Sequence, residues 1–281
     1  MSEHRPALEH IQAYADHLRL EEKSAATVEK YLRDVQIFAC WLDERKITKK
    51  ETAAWKTHLV ERGYAPASVN AMLSALNSLL DFLGFGDCRV KFLKVQRRMF
   101  RNDSRDLTRS DYNALTAAAK AQNKTRLALL MEAICATGIR VSEVQYITVE
   151  AARAGRAEVA LKGKIRTILI PSKLCRKLLK YAKQQKTASG EIFLTRNGTP
   201  LSRRQIWAEM KGLCKTAGVA ASKVFPHNLR HLFAAAFYRA SRDIVKLADV
   251  LGHSSLETTR IYLLTSGAEH QRQLDRLGLV S

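Results

Sequence analysis

Between Pro66 and Gly84 the apolar residues Val69, Met72, Leu73, Leu76, Leu79, Leu80 and Leu83 recur every three or four positions. A strand would send such a set to two faces, whereas a helix gathers it into one stripe. A helix carrying that stripe must bury it against neighbours. Three more segments supply them. Leu8, Ile11, Tyr14, Ala15 and Leu18 share a face over residues 7–20. Val28, Tyr31, Leu32, Val35, Phe38, Ala39 and Leu42 do so after Ser24, an N-cap residue type. A third helix is expected over 49–61, stopping near Gly63, and Pro66 and Ser68 open the fourth. Residues 1–93 are therefore expected to form an all-helical domain.

Residues 94–106 carry Arg97, Arg98, Arg101 and Arg105 without apolar periodicity, which reads as a basic interdomain linker or as a merely solvated segment. No proline lies between Pro66 and Pro171 to stiffen it. A second domain, 107–281, is again mostly helical, with helices expected at 203–217, 228–240, 243–251 and 256–264. It also carries a strand signal. Two β-prone runs, Ala157–Leu161 and Ile165–Ile170, flank Lys162-Gly163-Lys164 and predict a hairpin with lysine at its tip. Ile192-Phe193-Leu194, ahead of the turn signal Thr195-Arg196-Asn197-Gly198, is expected to add a strand. Leu274, Leu277, Leu279 and Val280 suggest a short amphipathic helix in the tail 267–281. The expected fold class is mainly α with a small β-sheet.

Charge indicates the partner. The formal net charge is +20, and it is unevenly spread. Residues 1–100 hold 16 Lys and Arg against 13 Asp and Glu, while 101–281 hold 31 against 14. A surface that basic attracts a polyanion, nucleic acid first. With 46% hydrophobic residues the chain has cores to pack, unlike a disordered basic arm. Five cysteines form no CxxC pair, which reads as reduced thiols in a cytoplasmic protein without a zinc site. No run approaches the roughly 18 apolar residues of a membrane span. The scattered His4, His10, His17, His58 and His270 match no metal-ligand spacing.

Three segments concentrate residues suited to phosphate chemistry. Attack on a phosphodiester spreads negative charge over its oxygens, so a catalyst needs fixed cationic donors, and arginine's planar fork suits them. Arg140 lies in Ala136-Thr137-Gly138-Ile139-Arg140-Val141-Ser142-Glu143. His227 and Arg230 stand three apart in Pro226-His227-Asn228-Leu229-Arg230-His231. Leu251-Gly252-His253 is followed nine residues on by Tyr262. Taken singly, Arg140 reads equally as a surface partner of Glu143, His227 and Arg230 as a solvated helix face, and Tyr262 as a core tyrosine. Glu143 is expected to orient Arg140 or its helix. Ser142 lacks a base at a recognisable offset. His231 is expected to point to a different helical face and to be structural.

The order of these motifs over residues 107–265 resembles that of the tyrosine recombinases, the family of phage integrases and Xer-type enzymes. Ser24-Ala25-Ala26-Thr27, Tyr31, Phe38 and Trp41 also resemble that family's helical, SAM-like core-binding domain. The resemblance implies such a domain followed by a mixed α/β catalytic domain, the two closing around duplex DNA as a C-shaped clamp. It implies that Arg140 and Arg230 clamp the scissile phosphate and that Tyr262 attacks it, forming a 3′-phosphotyrosine. His227 would take or share the tyrosine proton, His253 would donate to the phosphate, and Lys162 would protonate the leaving 5′ oxygen. The turn is shorter than the family's commoner pattern, so Lys164 rivals Lys162. No cofactor or metal is implied. The partners implied are double-stranded DNA recombination sites, exchanged through a Holliday junction, and further subunits in a homotetramer or a heterotetramer with a paralogue. The tail would pack into a neighbouring subunit, or else onto its own. A type IB topoisomerase and a catalytically silent DNA-binding protein are the rival readings.

Overall fold

The computed structural model describes residues 8–95, 105–161, 164–253, 255–262 and 275–277. The chain divides into two compact units, Met1–Arg97 and Arg98–Ser281.

The first unit contains α1 (Leu8–Leu20), α2 (Ala25–Leu42), α3 (Lys49–Glu61) and α4 (Pro66–Phe82). The apolar stripe of α4 forms its centre: Val69, Leu73, Leu76, Leu79 and Leu80 are each at most 1% exposed. On one side the stripe meets Phe38, Leu42, Trp55 and Leu59 from α2 and α3. On the other it meets Tyr14, Leu18, Val28 and Val35 from α1 and α2. Pro66 occupies the first turn of α4, where a missing N–H costs nothing. Ser24 takes the N-cap position of α2, but its hydroxyl pairs with the Thr27 hydroxyl at 2.8 Å rather than capping a backbone N–H. Two asparagines on α4 then hold the chain that leaves the unit. Asn77 exchanges hydrogen bonds of 2.8 and 3.0 Å with the backbone of Val90, and Asn70 does the same with Leu93. Each amide side chain thus mimics a strand neighbour for a segment with no other backbone ladder.

The second unit is built around α6 (Thr125–Thr137), whose Leu130, Met131, Ala133 and Ile134 are at most 1% exposed. Around it lie α5 (Arg109–Ala121), α7 (Val149–Ala154), α8 (Ser172–Gln184), α9 (Arg203–Lys211), α10 (Cys214–Ala217), α11 (Pro226–Ser241), α12 (Ile244–Leu251) and α13 (Leu256–Arg260). A capping box, Thr108 with Asp111, starts α5, and the Asp243 carboxylate caps α12. Strands β1 (Arg156–Leu161) and β2 (Lys164–Leu169) form an antiparallel pair running from Arg156 opposite Leu169 to Leu161 opposite Lys164. Ala157, Val159 and Ile168 point into the core, whereas Ile165 and Leu169 face solvent.

Three expectations change. Ile192-Phe193-Leu194 is not a strand of the sheet. Only isolated bridges form nearby, Thr148 with Glu191 and Leu194 with Pro200, while Ile192 and Phe193 serve as core side chains. The helix expected at 203–217 breaks at Gly212 and Leu213 into α9 and α10, and Met210, Leu213 and Cys214 stay buried across the break. The last helix stops at Arg260, so Tyr262 follows it in a turn. Lys162, Gly163, most of the linker and the tail other than 275–277 lie outside the described residues. No helix among the described residues is long and apolar enough to cross a membrane.

Leu76 is 1% exposed in the cluster that α4 forms with α2 and α3. Leu76→Ala is expected to lower the unfolding free energy of the helical unit by about 2–5 kcal/mol, measured by urea titration followed by circular dichroism.

Candidate active site

Two helices end against one guanidinium. Helix α6 closes with Gly138 in the left-handed region at φ 64°, and α12 closes with Gly252 at φ 63°. Both ends leave carbonyls without an intrahelical partner, at the negative pole of the helix dipole. Arg230 of α11 answers them: Nη1 donates to the Gly138 carbonyl and Nη2 to that of Leu251 at 2.8 Å. The motif glycines therefore have a physical reason beyond the turn. A Cβ at Gly138 would also stand 2.4 Å from the Phe233 ring, and one at Gly252 2.3 Å from Cδ of Arg166. Arg230 is 2% exposed, and burial pulls its pKa down to about 10, which leaves it charged at neutral pH.

His253 and Tyr262 complete this side. Arg230 Nη2 lies 3.0 Å from His253 Nε2 and can only donate, so Nε2 accepts and the imidazole proton sits on Nδ1. That Nδ1–H faces the hydroxyl of the buried Thr259 at 2.9 Å. Burial first, then Arg230, Arg140, Arg166 and His227, hold the His253 pKa down at about 4. The Tyr262 ring stacks on the His253 ring at 5.8 Å and 13°, and the side chain is near enough to Arg230 to act on its pKa. Tyr262 is 5% exposed and packs on Ala234, Leu247 and Leu251. It is thus a buried aromatic and a member of the polar cluster at once.

Arg140 enters from the other side. It caps the turn Val141–Tyr146, which follows α6 directly, and Glu143 folds back onto it. The Arg140 N–H donates to Glu143 Oε2 at 2.9 Å and its Nη1 to Oε1 at 2.8 Å, so the ion pair read from the sequence is present. Glu143 is only 2% exposed, however, and Arg166 Nη2 donates to the same Oε2 at 2.5 Å. Burial acts to raise the Glu143 pKa, but the Arg140 N–H, its guanidinium and Arg166 outweigh it and leave the carboxyl below its usual range. Arg140 is near enough to lower the pKa values of Arg230, His227 and His253.

His227 lies at the exposed rim, where the surrounding protein, then Arg230 and Arg140, hold its pKa below the usual histidine value. His231 departs from the expectation that it points away. Four residues on from His227, it shares that face of α11, and its ring meets His227 at 4.6 Å and Tyr262 edge-on at 4.4 Å. The structure therefore brings Arg140, His227, Arg230, His253 and Tyr262 into one cluster within the second unit. Lys162 lies outside the described residues, so its placement is not part of this geometry.

Sequence reasoning overlooked Arg166 and Thr259. Strand alternation carried a signal for the first, because it puts Arg166 on the inward face with Ile168 and Ile170, and a charge there requires a partner. Nothing in the sequence singled out Thr259. Among the described residues no group of three or more His, Cys, Asp or Glu could hold a metal ion. All five cysteines are free thiols.

Guanidinium groups gathered near a tyrosine, on a helical scaffold, suit the binding of a phosphate beside a nucleophile. Residues 105–268 match the phage integrase family, and residues 11–84 match the phage integrase N-terminal SAM-like domain. The chain belongs to the phage integrase family and is a tyrosine recombinase, a DNA strand-transferring enzyme. It is similar to tyrosine recombinase XerA of Pyrococcus furiosus, 27% identical over 96% of this chain and 94% of that protein. It is also similar to tyrosine recombinase XerD of Brucella suis biovar 1, 30% identical over 86% and 88% of the two chains. A crystal structure of a lambda integrase tetramer bound to a Holliday junction shares the fold, with TM-score 0.72, 21% identity, and coverage of 90% of this chain and 76% of that one. The expected fold class, mainly α with a small β-sheet and a SAM-like domain ahead of a mixed catalytic domain, holds.

A histidine held near pKa 4 has consequences for stability. Its value when unfolded is about 6.5, so on acidification the unfolded chain takes up the proton first. The contribution of His253 is present above about pH 6.5 and is lost as pH falls towards 4. Imidazole nitrogen shifts measured by NMR should show His253 neutral at pH 5.5 in the free protein, with the proton on Nδ1; a midpoint near 6.5 would contradict the geometry.

Proposed function

We propose that the chain performs site-specific recombination on double-stranded DNA through a phosphotyrosine on Tyr262, with Arg140, Lys162, His227, Arg230 and His253 as the other catalytic residues. Arg140 and Arg230 bind the non-bridging oxygens of the scissile phosphate. The Tyr262 oxygen attacks phosphorus, the bond to the 5′ oxygen breaks, and the DNA 3′ end stays on the enzyme. His227 accepts the phenolic proton, and Lys162 protonates the departing 5′ oxygen. The reverse attack by a 5′ hydroxyl of another strand reseals DNA, and because the phosphotyrosine keeps the phosphodiester's energy no ATP or metal is needed. His253 has to exchange its role, since its Nε2 accepts from Arg230 in the free protein and must donate to bound phosphate.

The observation that carries this reading is the buried Arg230, hydrogen-bonded to His253 while the Tyr262 ring stacks on that same histidine and Arg140 adds its charge nearby. A merely structural tyrosine has no use for two guanidiniums. The even balance of charge in the first 100 residues against the excess in the rest suggests that phosphate contacts concentrate in the catalytic unit. The helical domain at 1–93, the basic linker at 94–106 and the catalytic domain at 107–281 then share the duplex. Strand exchange needs two sites, and we propose a tetramer of this chain, or of this chain and a paralogue, acting in the cytoplasm, with the tail at 267–281 docking onto a neighbouring subunit. The lambda integrase of similar fold is a tetramer on a Holliday junction, which supports the stoichiometry.

The test uses a nicked duplex carrying the site the protein selects from a random-sequence pool. Wild-type protein is expected to form a covalent adduct resistant to boiling in detergent. Tyr262→Phe should form none yet bind within about twofold of wild type, because the phenolic oxygen acts in the chemical step and not in holding the phosphate. An adduct with Tyr262→Phe, or relaxation of supercoiled DNA that lacks the selected site, would refute the assignment.

A further inference from the structure

Arg166 spans three stretches of chain that the mechanism uses separately. It lies on β2 with its side chain 14% exposed. Nη2 donates to Glu143 Oε2 at 2.5 Å, and Nη1 reaches the Val250 carbonyl at 3.3 Å, one residue ahead of the Leu251 carbonyl that binds Arg230. Its Cδ lies against Gly252 so closely that a Cβ there would come within 2.3 Å. Its Nε is buried without a hydrogen-bond partner. A buried guanidinium is costly to desolvate and is kept only where its contacts are well made. Here they join Glu143, which orients Arg140, to the loop that carries His253.

We infer that Arg166 is a positioning residue of the strand-transfer site, setting Arg140 through Glu143 and setting the His253 loop through the Val250 carbonyl. The inference rests on reading Arg140 as a phosphate clamp. Among the described residues Glu143 is the one carboxylate that Arg140 and Arg166 share, so without Arg166 one of its oxygens keeps a single donor, the Arg140 backbone N–H. The partly exposed Arg140 guanidinium would then be steered by a buried carboxylate lacking its inner counter-charge. Lysine cannot replace it, because one ammonium does not present the planar fork that reaches an acceptor on each side. Arg166 acts through the two acceptors its terminal nitrogens meet, the Glu143 carboxylate and the Val250 carbonyl.

Single-turnover cleavage of the selected nicked duplex tests this, with an ordinary phosphate or a methylphosphonate at the scissile position. The methyl group removes one charged oxygen, so part of the demand on the guanidinium clamp disappears. Arg166→Gln and Arg166→Lys are expected to bind DNA within about twofold of wild type but to cleave the phosphate about 100-fold more slowly. On the methylphosphonate the deficit should shrink below about tenfold, as it should for Arg140→Ala. Cleavage within about threefold of wild type, or an equal deficit on both substrates, would overturn the inference. If Arg166→Gln does not unfold cooperatively, Arg166→Lys carries the comparison alone. Should Arg140→Ala cleave at the wild-type rate, the clamp reading falls and this inference with it; a slow Arg140→Ala beside fast Arg166 variants sinks the Arg166 role only.

Discussion

The buried guanidinium of Arg230 is the constraint on which the catalytic unit depends. It binds the carbonyls that end α6 and α12 and hydrogen-bonds to His253, on whose ring the tyrosine beyond α13 stacks. Four chain segments distant in sequence meet at one group. The glycines at 138 and 252 follow from that arrangement, because only a left-handed residue ends each helix with its carbonyl free to turn toward Arg230. A bulkier residue at either position would strike Phe233 or Arg166.

The electrostatics explain the resting state. Three guanidiniums, Arg140, Arg166 and Arg230, influence one another around the buried carboxylate of Glu143. That excess of positive charge is unfavourable in isolation and favourable around a phosphate, whose charge grows as the tyrosine attacks. Burial first, and then the same excess, hold the pKa values of His227 and His253 below the usual histidine value before DNA arrives. A bound phosphate would reverse that bias by restoring negative charge beside them. The free site is thus arranged for an anion, and its protonation follows from burial together with the guanidiniums.

Much of this was legible in the sequence, for physical reasons. Three of the four helices of the first unit were announced by apolar stripes, and α4 buries the residues its stripe marked. The hairpin was legible from two β-prone runs around a glycine. Ile192-Phe193-Leu194 misled because a short apolar run in a core looks alike whether or not it pairs. The break at Gly212 was hidden because its flanks, Met210 and Leu213, remain apolar and buried on either side. The residues that motif spacing singled out, Arg140, His227, Arg230, His253 and Tyr262, lie near one another in the fold. His231 was misjudged because attention went to its neighbour Arg230 rather than to the four-residue step that places it beside His227. Arg166 was overlooked because its partners, Glu143 and Val250, lie 23 and 84 residues away in sequence, and no local pattern links them.

The account's central claim is that the two guanidiniums present a DNA phosphate to Tyr262 and to no other nucleophile. Mass spectrometry of protein trapped on the nicked duplex, digested with trypsin and nuclease, addresses that most directly. The nucleotide is expected on the peptide spanning 261–272, on Tyr262, through a 3′ phosphate. A nucleotide on any other residue, or one joined through its 5′ phosphate, would contradict the account.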